Sequence, residues 1–197
     1  MSLFAPVTRG VGLHWSNFDD NVLPPILDLP PAPPTAAQNH ILVYLPFEDQ
    51  AIVREWLYGF TEHRFMHYAS TLPNDEQGNL GRRSATIAGF KSDLASALGV
   101  VCNCGSELIS ECLHWRKPVL TRPLAKQMEQ LLNGSALETP RYATVMRQID
   151  NELTARWLAA SPPASNLPFP DISAALASSL ADGAKTPVAT VGSAFWE

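Results

Sequence analysis

Residues 41–45, Ile-Leu-Val-Tyr-Leu, form an unbroken apolar run of strand length that Pro46 ends. Directly after it, Ile52, Val53, Trp56 and Leu57 recur at the spacing of an amphipathic helix over 48–58. The alternation then repeats. Further strands are predicted at 64–69, 84–88, 100–102 and 119–121, with a polar loop over 71–81. Helices are predicted from Ser92 or Asp93 to Leu98, and over 105–115, 126–137 and 151–160. Strands separated by helices of about 10–15 residues imply crossover units and a parallel sheet. Such a sheet is covered on both faces, which asks for apolar strands without alternation. With right-handed crossovers the expected fold class is α/β, a Rossmann-like three-layer sandwich with a mostly parallel sheet.

Proline marks the borders of this pattern: 12 of the 17 prolines fall in residues 1–40 and 161–197, leaving the alternating region between two flanks. The expected organisation is a connector over 1–39, a sheet domain over 40–160 and a tail over 161–197. Pro24-Pro25, Pro30-Pro31 and Pro33-Pro34 make the connector stiff and partly extended. Its Leu13, Trp15, Phe18, Val22, Leu23, Ile26 and Leu27 are too apolar for a free linker. Residues 10–27 are therefore expected to pack partly on the sheet domain. The tail carries Pro162-Pro163, Pro168 and Pro170, then a short helix over 171–180 with Asp171 as its N-cap. Leu176, Leu180, Phe195 and Trp196 are expected to place 171–196 on the side where a second domain docks. Met1-Ser2-Leu3 and Glu197 read as added ends, so the natural chain is expected to be longer on both sides.

Composition narrows the function. A net charge of −5 argues against nucleic acid as a partner, although Arg82, Arg83, Arg116, Lys117 and Arg122 are expected to form a local positive patch. No run approaches the roughly 18 apolar residues of a membrane span, so no transmembrane segment is expected. The three cysteines, all between 102 and 112, make no disulfide framework. A reducing compartment, the cytoplasm, is the expected location.

The window 100–133 carries the candidate chemistry. An apolar strand runs into Gly105, an amphipathic helix follows, and a second strand closes between Pro118 and Pro123. A helix N-terminus thus lies at the carboxyl end of a parallel strand, where its unpaired N–H groups suit phosphate. Asn103 ends the strand, Gly105 allows close approach, and Ser106 caps the helix or bonds a phosphate oxygen. Leu108, Ile109, Cys112 and Leu113 make the expected buried stripe, which leaves Glu107, Glu111 and His114 nearer the opposite side. From there the Glu111 carboxylate accepts two hydrogen bonds side by side, the arrangement that vicinal ribose hydroxyls present. Gln127, Glu129, Gln130 and Asn133 offer groups for sugar hydroxyls. Cys102, Cys104, Cys112 and His114 lie close together but lack the two-residue spacing of paired zinc cysteines, and no metal is expected. Neither a dinucleotide fingerprint nor a P-loop is present.

These residues, in this order, resemble the C-terminal, donor-binding half of two-domain GT-B glycosyltransferases, especially the UDP-glycosyltransferase and MurG-like group. The matching positions are Asn103-Cys104-Gly105, then Glu111, then Arg116-Lys117-Pro118 with Pro123, then Glu129-Gln130-Leu131-Leu132-Asn133. Gln127 resembles the first glutamine of a Gly-Gln-x-Glu-Gln form. The resemblance implies that the turn and helix start hold a diphosphate, Glu111 binds ribose, and Glu129-Gln130 face the donor sugar. It implies a nucleotide diphosphate sugar, expected as a UDP-sugar, as donor substrate, with no separate cofactor. It also implies a missing N-terminal domain of the same polypeptide that binds the acceptor, without which this chain is expected to be inactive. No catalytic residue is assigned within the chain.

Three positions depart from the group's pattern: the acidic loop at 46–49, Glu107 in the first helical turn, and Arg116 where glycine is usual. They motivate an alternative, a non-catalytic Rossmann-like module that binds a nucleotide or a partner. In either case the loops at 46–49, Gly89-Phe90, 103–106 and 123–130 are expected to converge beyond the carboxyl ends of the strands.

Overall fold

The computed structural model describes residues 10–27, 29, 33, 36–84, 87–160 and 167–196. Met1-Ser2-Leu3, Pro30-Pro31, Pro34, Pro162-Pro163 and Glu197, all named above, lie outside the described residues. Two compact units divide the chain: Met1–Asp28 with Pro168–Glu197, and Leu29–Leu167.

In the first unit the two flanks pack on each other. Strands β1 (Gly12–Leu13) and β2 (Val22–Leu23) pair in parallel. Trp15, Val22 and Leu23 are buried, as is Ile172 of the tail. The Trp196 indole donates to the Val22 carbonyl at 2.9 Å. A Cβ on Gly192 would stand 3.0 Å from Leu23 Cδ2, so the Leu23 side chain packs directly on that glycine.

Among the described residues the second unit holds a seven-stranded sheet. Its elements run β3 (Ile41–Tyr44), α1 (Gln50–Tyr58), β4 (Phe65–Tyr68), β5 (Asp75–Gln77), β6 (Leu80–Arg83), α2 (Ile87–Ser96), β7 (Gly99–Asn103), α3 (Ser106–His114), β8 (Val119–Arg122), α4 (Met128–Glu138), β9 (Thr144–Val145) and α5 (Asn151–Ala160). Helices α6 (Ser173–Ala181) and α7 (Val188–Gly192) belong to the first unit. The spatial order is β5-β6-β4-β3-β7-β8-β9. Every pairing is parallel except β5 with β6. This is an α/β sandwich of Rossmann-like type with a mixed, mostly parallel sheet.

Both faces are covered. Ile41, Val43, Phe65, Val101 and Leu120 of the strands share one apolar cluster with Val53, Trp56 and Leu57 of α1 and Trp157 of α5. On the other face the Phe90 ring of α2 meets Tyr44 and Tyr68 edge-on, each at 5.2 Å. Tyr68 also donates to Asp93 at 2.7 Å. Gly99 has no room for a side chain, since its Cβ would stand 2.9 Å from the Trp157 ring. Asp49 caps α1, accepting from the Ala51 amide at 2.8 Å.

Three expectations need correction. The third strand is Leu80–Arg83, upstream of 84–88. Residues 85–86 lie outside the described residues, and α2 has begun by Ile87. The polar loop at 71–81 contains β5 and the first residues of β6. Both arise because β6 is polar: Arg82 and Arg83 are held by Asp75 and Glu76 across a hairpin, which local hydropathy cannot reveal. Gly78, at φ 59°, makes the tight turn of that hairpin. The local positive patch does not form. Arg82 and Arg83 are paired on the hairpin, and buried Lys117 donates to the Ala95 and Ala97 carbonyls, both at 2.8 Å, at the end of α2.

Helix α3 ends in a Schellman turn. Lys117 N–H donates to Cys112 at 2.8 Å and Arg116 N–H to Leu113 at 3.2 Å. Arg116 takes φ 55°, the left-handed conformation that favours glycine. Arg116→Gly should therefore raise unfolding stability by about 1 kcal/mol, read from urea midpoints. An unchanged or lower midpoint would refute the strain.

His67 is wholly buried on β4, with Nε2 2.9 Å from Gln50 Oε1. Burial, then the charges of Arg82 and Arg54, lower its pKa to about 4 from an ordinary 6.5. Below pH 6.5 the unfolded chain binds a proton that the folded one refuses. This contribution is therefore complete above pH 6.5 and is lost as pH falls toward 4, by about 3 kcal/mol in all. Urea titrations across that window should show the decline in the wild type and a clearly shallower one in His67→Phe.

Candidate functional site

Without its antiparallel edge, the sheet reads β6-β4-β3-β7-β8-β9, and its direction of progress reverses between β3 and β7. Connections leave those two strands in opposite senses, so a crevice opens beyond their carboxyl ends. The loop after β3, the end of β7 and the end of β8 meet there. Asn103 Nδ2 donates to Glu48 Oε1 at 3.2 Å and to the Arg122 carbonyl at 3.0 Å. Arg122 forms an ion pair with the same Glu48 carboxylate. The acidic loop is thus neutralised from within: Arg122 pairs Glu48, and Asp49 caps α1.

The turn after Asn103 is clamped from both sides. The Cys104 amide donates to Gln130 Oε1 at 3.2 Å, and the Cys104 carbonyl accepts from Asn133 Nδ2 at 3.0 Å. Gln130 Oε1 also receives the Leu124 amide at 3.1 Å, tying the loop after β8 to the same point. Gln130 and Asn133 stand three apart on α4, hence on one face. Gly134, next on that helix, comes so close to Pro123 that a Cβ would stand 2.8 Å from its ring.

Gly105, the N-cap of α3, is extended at φ −76° and ψ 144°, and no side chain caps the helix. A Cβ placed on it would meet nothing within 4 Å. Among the described residues neither conformation nor packing asks for glycine here, and the space at its Cβ is open. Ser106 and Glu107 are exposed. Solvent and salt weaken the field of Glu107 at such a surface.

Glu111 differs from expectation. It is 4% exposed, and its carboxylate pairs with Lys91 of α2. Helix α3 buries five consecutive residues, Ile109, Ser110, Glu111, Cys112 and Leu113. The expected free face is occupied because α3 has a helix beside it as well as the sheet beneath. Gln127 and Glu129 are exposed at the start of α4, and among the described residues neither side chain hydrogen-bonds to the turn. The structure therefore gathers Asn103, Gly105, Ser106, Gln130 and Asn133 at one point and sets Glu111 inward. Glu48, Arg122 and Lys91 join the site although the spacing of motifs did not single them out. Cys102, Cys104 and Cys112 are buried, and burial pushes the Cys104 thiol up to about 11. A group held so firmly as a thiol is a poor nucleophile.

The sequence profile of glycosyl transferase family 1 matches residues 17–162, most of the chain, and the chain belongs to that family. No curated protein matches it. Among solved structures it is similar to the glycosyltransferase SnogD from Streptomyces nogalater, with 18% identity over 76% of this chain and 44% of that chain and a TM-score of 0.50. It is also similar to the spinosyn rhamnosyltransferase SpnG, solved with thymidine diphosphate, at 13% identity over 82% of this chain and 42% of that one, with a TM-score of 0.38. The chain spans less than half the length of either. The likeness to SnogD concerns the fold, which is of the GT-B glycosyltransferase type. Among the described residues no helix is long and apolar enough to cross a membrane.

The inward position of Glu111 has a measurable consequence. Glu111→Ala should lower unfolding stability by about 2 kcal/mol, because it removes the buried carboxylate of an ion pair whose Lys91 end stays partly exposed. A solvated carboxylate would change it by under about 0.5 kcal/mol. Urea denaturation at pH 7 separates the two.

Proposed function

We propose that residues 40–160 form the donor-binding half of a glycosyltransferase that passes a sugar from a nucleotide diphosphate sugar to an acceptor hydroxyl. The observation that carries this reading is the open, uncapped start of α3 at Gly105, held at the switch point by Gln130 and Asn133. Backbone N–H groups fixed in advance stabilise the charge that gathers on a departing diphosphate, without reorganising when it forms. The diphosphate lies on residues 105–107, with the Ser106 hydroxyl beside it. Gln127 and Glu129, exposed at the start of α4, are the groups available to the donor sugar. Ribose contact by Glu111 requires its carboxylate to be shared with Lys91. The acceptor site and the general base belong, in this proposal, to a second domain outside residues 40–160, in keeping with a chain that covers 44% of SnogD. A UDP-sugar is the proposed donor.

The alternative, a non-catalytic nucleotide- or partner-binding module, is favoured by one observation: Glu111 is buried and paired rather than presented to solvent. Calorimetry with UDP, thymidine diphosphate and their sugar conjugates tests the proposal. UDP should bind, and amide resonances of Gly105, Ser106 and Glu107 should shift with it. Gln130→Leu should weaken UDP about tenfold, since loosening the clamp costs about one hydrogen bond's worth of preorganisation. Failure of all four ligands to bind at millimolar concentration would sink the donor reading. A sugar conjugate that binds no more tightly than its free nucleotide, with shifts confined elsewhere, would favour the module.

A further inference from the structure

The switch-point crevice contains a carboxylate where an anion is meant to lie. Glu48 follows β3, Asn103 is the last residue of β7, and Arg122, its register partner, is the last of β8. The Glu48 and Arg122 side chains are 15% and 22% exposed, so the pair at these strand ends is mostly buried yet still reached by solvent. Glu48 Oε1 accepts from both Arg122 Nη1 and Asn103 Nδ2. Among the described residues, two polar atoms of the same trio are buried without a partner, Arg122 Nε and Asn103 Oδ1. Asn103 itself is 7% exposed.

This geometry is that of an anion site with an occupant already in place. A guanidinium presents parallel N–H donors that fit a carboxylate or a phosphate edge equally well in shape. The carboxylate of Glu48 supplies one such edge, and it leaves Nε unmatched. A ligand with more charge and more acceptor oxygens would satisfy the guanidinium more completely, and a ligand hydroxyl would satisfy Asn103 Oδ1.

We propose that Arg122 is a diphosphate-binding residue of this site and that Glu48 is its internal competitor, released when a nucleoside diphosphate arrives. The inference rests on the donor-site reading and adds to it a rule of selection. A diphosphate carries more charge and more acceptor oxygens than a monophosphate, and so displaces one carboxylate from the guanidinium more readily. The pair therefore selects nucleoside diphosphates over monophosphates, with the α3 start receiving the phosphate that Arg122 does not.

Calorimetry on the full chain with UDP, UMP and uridine, using wild type, Glu48→Gln, Arg122→Gln and Arg122→Lys, tests this, with thermal melts to confirm folding. Glu48→Gln should tighten UMP about tenfold and UDP by less, narrowing the preference, with uridine unchanged. Arg122→Gln should weaken UDP about tenfold and leave uridine alone. Arg122→Lys, which keeps the charge but loses the fork, should fall between and replaces Arg122→Gln if that variant fails to fold. If wild type binds UDP but Glu48→Gln tightens neither nucleotide, or the Arg122 variants bind UDP like wild type, the inference is overturned and the donor reading stands. If neither the wild type nor any variant binds UDP, the inference falls, and the donor reading falls with it only if thymidine diphosphate and the sugar conjugates fail as well.

Discussion

A parallel sheet has no face that it can leave to water, and most of this unit follows from that constraint. Strands that are apolar on both sides need helices above and below, and right-handed crossovers deliver them. Because β3 starts in the middle of the sheet, the chain must build outward once in each direction. That reversal leaves neighbouring loops diverging at the carboxyl ends of β3 and β7. The crevice is thus a by-product of covering the sheet, and its residues come from the ends of strands whose middles are packed. Gly99 against Trp157 and Gly134 against Pro123 show how closely the helices approach the sheet and its loops.

Charge is handled locally. The chain has a net charge of −5, yet four of its buried or partly buried basic groups sit against a nearby acceptor. Arg82 lies along Asp75, Lys91 on Glu111 and Arg122 on Glu48, while Lys117 closes the end of α2 with two carbonyls. Such pairs add little net stability, because desolvation offsets the attraction, but removing one partner leaves the other uncompensated. They decide which helix sits beside which strand end. Lys91 and Glu111 set α2 against α3, and Arg122 and Glu48 join the ends of β3 and β8 across β7.

The Glu-Gln-x-x-Asn stretch illustrates how one set of residues changes meaning in three dimensions. Read along the chain, Glu129, Gln130 and Asn133 are polar groups available to sugar hydroxyls. In the fold, Gln130 and Asn133 grip the two sides of the Cys104 peptide. Glu129 stays exposed. A donor site needs both functions, since oriented amides stabilise charge only if the turn carrying them is rigid.

Periodicity and breakers in the sequence were enough for the alternation of strands and helices, the α/β class and the elements at Ile41–Tyr44, Ser106–His114 and Asn151–Ala160. These are local properties, carried by a few adjacent side chains and a neighbouring proline or glycine. The polar strand Leu80–Arg83 and the two-residue strand β9 escaped because their stability lies in their partners. The same holds for the site. That Gly105 opens a helix was legible, whereas the inward turn of Glu111 was not. The partners that decide the site are remote in sequence: Lys91 is 20 residues from Glu111, Cys104 is 26 from Gln130, and Glu48 is 74 from Arg122. Hydropathy records whether a residue avoids water; only the packed sheet decides which distant group a charge will meet.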